Sequence, residues 1–202
     1  MLDDFRRRLA RRRLKDERYA FLFDEPPPDE WVSVDCETTG LDPKVAEILS
    51  VAAIRIKHDR ILTSERLEIL FHHTAGIQKE SVLIHRLRPV DVAAGVPVDQ
   101  AIDQVLRFIG SRPLVGYYLE FDVKMLNKYV RPRLGIGLPN RLIDVSGLYY
   151  DRKTRVFPQI HVDLTFRAIR DDLDLPRRAE HDAFNDALLT AMMYLRLKAP
   201  SD

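Results

Sequence analysis

Hydrophobic and polar positions alternate in Trp31-Val32-Ser33-Val34-Asp35-Cys36-Glu37, which predicts a strand running into the loop Thr38-Thr39-Gly40-Leu41. Two further runs, 48–57 and 61–71, are apolar or alternating on either side of a turn at His58-Asp59-Arg60, as expected of a hairpin that continues from the first strand. The pattern then changes period. A helix is predicted over 98–109, then a short apolar strand at Leu114-Val115-Gly116, a turn, and a helix that carries Asp122 in its first turn and continues through Leu126 and Tyr129. Residues 142–145 read as a last strand, and 162–173 and 182–197 as closing helices, the latter with Ala183, Ala187, Ala191 and Leu195 at helical spacing. Three antiparallel strands followed by alternating helices and strands predict an α/β fold.

Chemistry concentrates where the first strand ends. Side chains alternate between the two faces of a strand, so Asp35 and Glu37 share one face while Val34 and Cys36 share the other. Two carboxylates held side by side repel unless a cation lies between them, and hard divalent ions take oxygen ligands. Alone, this spacing also fits two solvated charges where a strand meets a loop. His181-Asp182-Ala183-Phe184-Asn185-Asp186-Ala187 adds a third acidic position at a helix start. A residue five positions back lies about 140° round a helix from Asp186, so His181 can share a site with it only from the loop or cap preceding the helix.

Three segments together resemble the DEDDh exonucleases, the DnaQ-like branch of the ribonuclease H-like superfamily. The first family motif stands as Asp35-Cys36-Glu37-Thr38-Thr39-Gly40-Leu41 with nothing missing, and the third, His-x-Ala-x-x-Asp-Ala, stands complete from His181 to Ala187. The second, usually a Gly-His-Asn run leading to Phe-Asp, stands as Gly116-Tyr117-Tyr118-Leu119-Glu120-Phe121-Asp122. Ile84-His85-Arg86-Leu87 resembles the family's Ile-His-Gly-Ile segment, and Leu142-Ile143-Asp144-Val145 the strand after the second motif. The resemblance covers roughly residues 31 to 197 and implies a ribonuclease H-like central mixed five-stranded sheet flanked by helices. It divides the chain into a basic N-terminal extension with a Pro-rich spacer over 1–30 and an exonuclease domain over 31–202.

The implied mechanism uses Asp35, Glu37, Asp122 and Asp186 to hold two divalent cations, Mg2+ or Mn2+, and His181 as general base. The resemblance also sets Thr38 and Thr39 where the backbone meets a 3′-terminal nucleotide, Leu41 and Phe121 against its base, and His85 at the cleft border. Core packing is the alternative for Phe121. Tyr117, Tyr118 and Arg86 depart from the family pattern at positions that bear on substrate rather than on metal. The implied activity is 3′-to-5′ hydrolysis at single-stranded or frayed ends, releasing nucleoside monophosphates, with DNA ahead of RNA. Trimming of RNA ends, or a non-catalytic nucleic-acid or polymerase-binding module, are the alternatives.

Composition changes this picture little. A chain of 202 residues can bury roughly 70% of its unfolded surface without disulfides, and Cys36, the single cysteine, cannot form an internal one. No apolar run approaches the roughly 20 residues of a membrane helix, and a reducing cytoplasm is the default expectation. The net charge of +1 exerts no global pull on nucleic acid. Locally, Arg6, Arg7, Arg8, Arg11, Arg12, Arg13, Lys15 and Arg18 outnumber Asp3, Asp4, Asp16 and Glu17 in a segment that can form a helix. Such a helix can hold a phosphate backbone, an anionic membrane surface or an acidic partner, or lie solvated on its own domain. Phe21, Leu22 and Phe23 are expected to pack it down, and Pro26-Pro27-Pro28 to act as a stiff spacer.

Overall fold

The computed structural model describes residues 2–72, 93–156, 159, 161–179 and 182–199. Helix α1 (Leu2–Arg13) and a 3-10 helix (Glu17–Phe23) precede strands β1 (Glu30–Thr38), β2 (Ile48–Lys57) and β3 (Arg60–Leu70). Then follow α2 (Val98–Ile109), β4 (Leu114–Gly116), α3 (Glu120–Leu134), β5 (Leu142–Asp144), α4 (Val145–Val156), α5 (Phe166–Asp172) and α6 (Ala183–Lys198). The strands form one mixed sheet in the order β3-β2-β1-β4-β5, antiparallel through β3, β2 and β1 and parallel from β1 to β4 to β5. This is the five-stranded arrangement expected from the sequence.

One apolar cluster packs Val32, Val34 and Cys36 of β1 with Ile102, Val105 and Leu106 of α2 and Met125, Leu126 and Val130 of α3. A second joins Val115 and the outer β2 residues Ile54 and Ile56 to Tyr149 of α4, Ile169 of α5 and Leu188, Ala191 and Tyr194 of α6. The alternation of β1 therefore sorts its residues between two helical layers, and Ser33 on the second face donates its hydroxyl to the Ala187 carbonyl of α6 at 2.8 Å.

Three features differ from the expected elements. The helix expected over 162–173 spans only Phe166–Asp172, because Asp163 accepts from the Thr165 N–H and Thr165 caps the helix at the Ala168 N–H, which holds the preceding residues out of helical pairing. Helix α4 follows β5 directly and was not anticipated: Asp144 accepts from the N–H of Ser146 at 2.9 Å, and the segment has a weak apolar period. Pro132 lies inside α3, which nonetheless continues to Leu134 and ends on Gly135 in the left-handed region.

The N-terminal segment packs across the composition boundary at residue 30. Leu14, Tyr19 and Leu22 are buried in the first cluster, with Phe21 and Phe23 packed against it as expected. The Tyr19 hydroxyl donates to Asp103 of α2 at 2.8 Å and is bonded by Arg133 of α3, and the Lys15 N–H donates to the Leu134 carbonyl at 3.0 Å. Arg7 donates to the carbonyls of Pro139, Leu22 and Asp24. Leu22→Ala is therefore expected to lower the unfolding free energy by about 2–5 kcal/mol in urea titration, the cost of a core cavity. A change within about 0.5 kcal/mol would mean that this segment contributes nothing to the core.

Candidate active site

Four carboxylates come from three elements at one end of the sheet. Asp35 and Glu37 lie on β1 on the face that also carries Ser33, toward α6. Asp186 sits in the first turn of α6, whose start is capped by the Asp182 carboxylate accepting from the Asn185 N–H at 2.9 Å. Small residues allow that approach: Ala52 of β2 packs with Ala183 and Ala187 of α6, bringing the helix backbone close enough for a short aspartate to reach. The result is a group in which carboxylate oxygens of Asp35, Glu37 and Asp186 lie within 4.8 Å of one another, a donor set that suits a hard divalent ion.

Asp122 arrives from the other layer. Strand β4 is only three residues long and pairs with β1 at Val32 and Ser33. The Val32 N–H donates to the Pro113 carbonyl on that side. Further along the same edge β4 has already ended, and the Cys36 N–H donates instead to Asp122 Oδ1 at 3.0 Å. The carboxylate thus takes the place of the next backbone acceptor in the ladder and is buried beside the acidic group.

The entry of α3 that positions Asp122 is fixed from outside the helix. Leu119 stands at the N-cap and offers no capping side chain; its N–H donates to Asp144 Oδ2 at 2.9 Å, while Asp144 Oδ1 accepts from both the N–H and the hydroxyl of Ser146. Asp144 is a positioning residue that the sequence marked only by its resemblance to a family strand. Gly116 is required by contact: an added Cβ would lie 2.6 Å from Leu119 Cδ1 and 2.9 Å from its Cβ. Tyr117 donates its hydroxyl to the Leu164 carbonyl at 2.9 Å and meets Phe166 edge-on, whereas Tyr118 is half exposed with φ of 48° and lies against Tyr117 with ring centroids 4.5 Å apart and planes tilted by 50°.

The loop after β1 closes on itself. The Thr38 hydroxyl donates to the Gly40 carbonyl, Thr39 Oγ1 accepts from the Glu47 N–H, and the Thr39 N–H donates to the Glu47 carbonyl. Lys128 and Tyr129 of α3 bond Glu47 and hold the loop base. Leu41 stands out at its tip, 88% exposed, while Phe121 packs against the first apolar cluster. Of the expected site residues, His181 and His85, with the Ile84–Leu87 segment, lie outside the described residues.

The electrostatics follow from the crowding. Burial, then the carboxylates of Asp122, Glu37 and Asp186, holds the Asp35 carboxyl well above the usual carboxylate range. Burial pushes Asp122 up to about 7, against hydrogen bonds from Cys36 that favour its charged form. Burial, with Asp122 and Asp35 behind it, also raises the Cys36 thiol, so that it packs as an inert group rather than a thiolate.

The exonuclease family model matches residues 32–194, and the chain belongs to that family, the DnaQ-like branch with a ribonuclease H-like fold. It is 23% identical over 167 residues to the DNA polymerase III subunit epsilon of Aquifex aeolicus, covering 83% of this chain and 79% of that protein. It is 28% identical over 172 residues to the oligoribonuclease of Leifsonia xyli, covering 76% of this chain and 82% of that one. Among solved structures it is similar to E. coli exonuclease I in complex with a dT13 oligonucleotide, with a TM-score of 0.68 and 18% identity over 84% of this chain and 41% of that one. The chain spans only 12% of the PolC-type polymerase of Thermotoga maritima, to which it is 25% identical. It is thus an exonuclease of a divalent-metal-dependent family and carries a carboxylate cluster of matching chemistry.

The raised carboxyls carry a pH signature. Their folded-state pKa lies above the unfolded one, so between about pH 4 and 7 the folded metal-free protein holds protons that the unfolded chain has lost, and stability falls as pH rises. The metal-free melting temperature is expected to drop from pH 5 to 8 and to recover on adding divalent cation, with Asp122→Asn flattening the dependence. An unchanged slope in Asp122→Asn would show that this carboxyl does not carry it. Gly116→Ala is expected to cost about 1–3 kcal/mol by thermal melt, because the backbone-fixed Leu119 Cβ cannot move aside.

Proposed function

We propose that the chain is a 3′-to-5′ exonuclease that hydrolyses phosphodiester bonds at single-stranded or frayed DNA ends and releases nucleoside monophosphates. The observation that carries this is the convergence of Asp35, Glu37 and Asp186, with Asp122 bonded to the intervening Cys36 N–H. These four residues would hold two divalent cations, Mg2+ or Mn2+. When bound, the cations supply Lewis-acid stabilisation of charge on the phosphoryl group and lower the pKa of a water.

The remaining roles belong to the chain. His181 is assigned on sequence grounds as the general base: an imidazole of reference pKa about 6.5 can take the attacking water's proton near neutrality. Thr38 and Thr39 shape the loop that receives the terminal nucleotide, and Leu41 and Phe121 contact its base, with His85 at the cleft border. An added Cβ at Gly40 would meet nothing within 4 Å, so the folded chain itself does not demand glycine there, in keeping with a substrate backbone passing close by. A polymerase is the proposed protein partner, by analogy with the epsilon relative. RNA ends are the second substrate class, favoured by similarity to the oligoribonuclease.

The test uses purified protein with Mn2+ or Mg2+ and 5′-labelled single-stranded DNA, RNA and duplex ends. A descending ladder is expected for DNA, abolished by EDTA; a faster ladder on RNA would reassign the sugar, and no cleavage of any substrate would leave a binding module. Asp35→Ala, Glu37→Ala, Asp122→Ala and Asp186→Ala are each expected to retain less than about a tenth of the wild-type rate, a barrier raised by at least about 1.4 kcal/mol. His181→Ala is expected to reduce kcat by about 100-fold or more with metal binding kept. Loss of metal binding in that variant would give His181 a structural role instead.

A further inference from the structure

The strongest feature outside the carboxylate site is a cavity of about 470 Å3 on the N-terminal segment, lined by Arg7, Arg8, Arg11, Arg12 and Phe23. Its four guanidinium groups differ in what they face. Arg11 is neutralised by a bidentate pair with Glu17, with bonds of 2.9 and 2.7 Å. Among the described residues, Arg7 donates to the carbonyl oxygens of Pro139, Leu22 and Asp24, which fix the guanidinium without cancelling its charge. Arg8 and Arg12 are exposed and have no ion-pair partner among the described residues. Arg7 and Arg11 lie over the Phe23 ring at 5.6 and 6.0 Å. Among the described side chains, the acidic groups acting on Arg11 are Glu17 and Asp24, two against the four arginines that line the groove.

A line of basic side chains runs toward this groove from the carboxylate site. Lys124, Lys128 and Arg131 occupy positions i, i+4 and i+7 of α3 and so share one face. Lys124 and Lys128 are paired with Glu120 and Glu47, whereas Arg131 is exposed without an ion pair among the described residues. At the far end of α3, the side chain of Lys15 lies against Gly135, next to the turn that leads back into α1. Asp122 and Leu134 are 12 residues apart on α3, about 18 Å along the helix axis.

We infer that the groove between α1 and Phe23 is a second nucleic-acid site, in which Arg8 and Arg12 bind backbone phosphates of a single strand upstream of the end held at the carboxylates. The inference rests on the nuclease assignment for its choice of a nucleic-acid occupant. Arg8 and Arg12 stand one helical turn apart, so their guanidinium groups line up along α1, and arginine forks match phosphate oxygens two bonds at a time. Held in place, the Arg7 charge adds to the attraction without a further ordering cost.

The test measures fluorescence anisotropy of labelled dT4 and dT20 with Ca2+ present, for the wild-type chain and for Arg8→Ala/Arg12→Ala. The variant is expected to bind dT20 about tenfold more weakly at 50 mM NaCl and to match wild type at high salt. Its log-log salt slope should flatten by about 1.4, two lost contacts at about 0.7 each on a single strand. Affinity for dT4, too short to span the distance, should change less than twofold, and Arg8→Lys/Arg12→Lys should restore most of the slope. An unchanged slope in a variant with wild-type circular dichroism overturns the proposal and makes the groove a face for an acidic protein. An equal loss on dT4 and dT20 overturns the upstream placement. Wild-type cleavage of dT20 with Mn2+ reports separately on the nuclease assignment: binding without cleavage sinks that assignment, and cleavage with unchanged salt slopes sinks the groove.

Discussion

Like charges held close together in a partly dehydrated pocket set the terms for the rest of this structure. Carboxylate oxygens of Asp35, Glu37 and Asp186 within 4.8 Å of one another repel, and the repulsion grows as water is removed. Without a cation, the site relieves part of that repulsion by holding protons, which is why burial and neighbouring charge raise Asp35 and Asp122 together. A fold that keeps such a cluster must supply the holding force from elsewhere. Here the neutral scaffold beneath does so, with a central strand paired along both edges and helices packed on both faces.

Each carboxylate is anchored by a different device, and the devices are mutually dependent. Alternation on β1 aims Asp35 and Glu37 at α6, and the Ser33 bond to the Ala187 carbonyl fixes the distance at which Asp186 meets them. The shortness of β4 frees the edge of β1 where Asp122 binds the Cys36 N–H. That bond requires α3 to begin where it does, which in turn rests on Asp144 reaching from β5 to the Leu119 N–H. A change at Asp144 or Gly116 therefore acts on the site through Asp122, without touching an acidic group.

The legible parts of the chain were those in which local pattern and global packing agree. Helix α2 has strong periodicity because it presents one buried face, β1 and β2 stand out as apolar runs because both of their faces are covered, and the acidic positions were readable because the motif spacings are rigid. Helix α4 escaped because its apolar period is weak and its start is set by the Asp144 side chain, a tertiary bond with no local signature. The first residues of the expected 162–173 helix were lost to the side chains of Asp163 and Thr165. The association of the N-terminal segment with the domain was only partly readable. Phe21, Leu22 and Phe23 indicated packing, but the Tyr19 bond to Asp103 links residues 84 apart, and Pro26-Pro27-Pro28 resembled a spacer.

The two tyrosines of the second motif show how a family position can change its side chains while the acidic geometry survives. Tyr117 makes a bond with the Leu164 carbonyl and an edge contact with Phe166, tying the turn after β4 to the start of α5. On the other side of the turn, Asp144 holds Leu119. Tyr118 sits between these two fixed points and takes the positive φ that joins them, a conformation that costs a non-glycine residue about 1–3 kcal/mol and persists only where its surroundings determine it. The strain is confined to that one residue, so α3 begins with regular geometry and Asp122 keeps its place on the edge of β1. What the substitution alters is the wall of the turn, where the mutually tilted rings of Tyr117 and Tyr118 present an aromatic surface with Tyr118 half exposed to solvent.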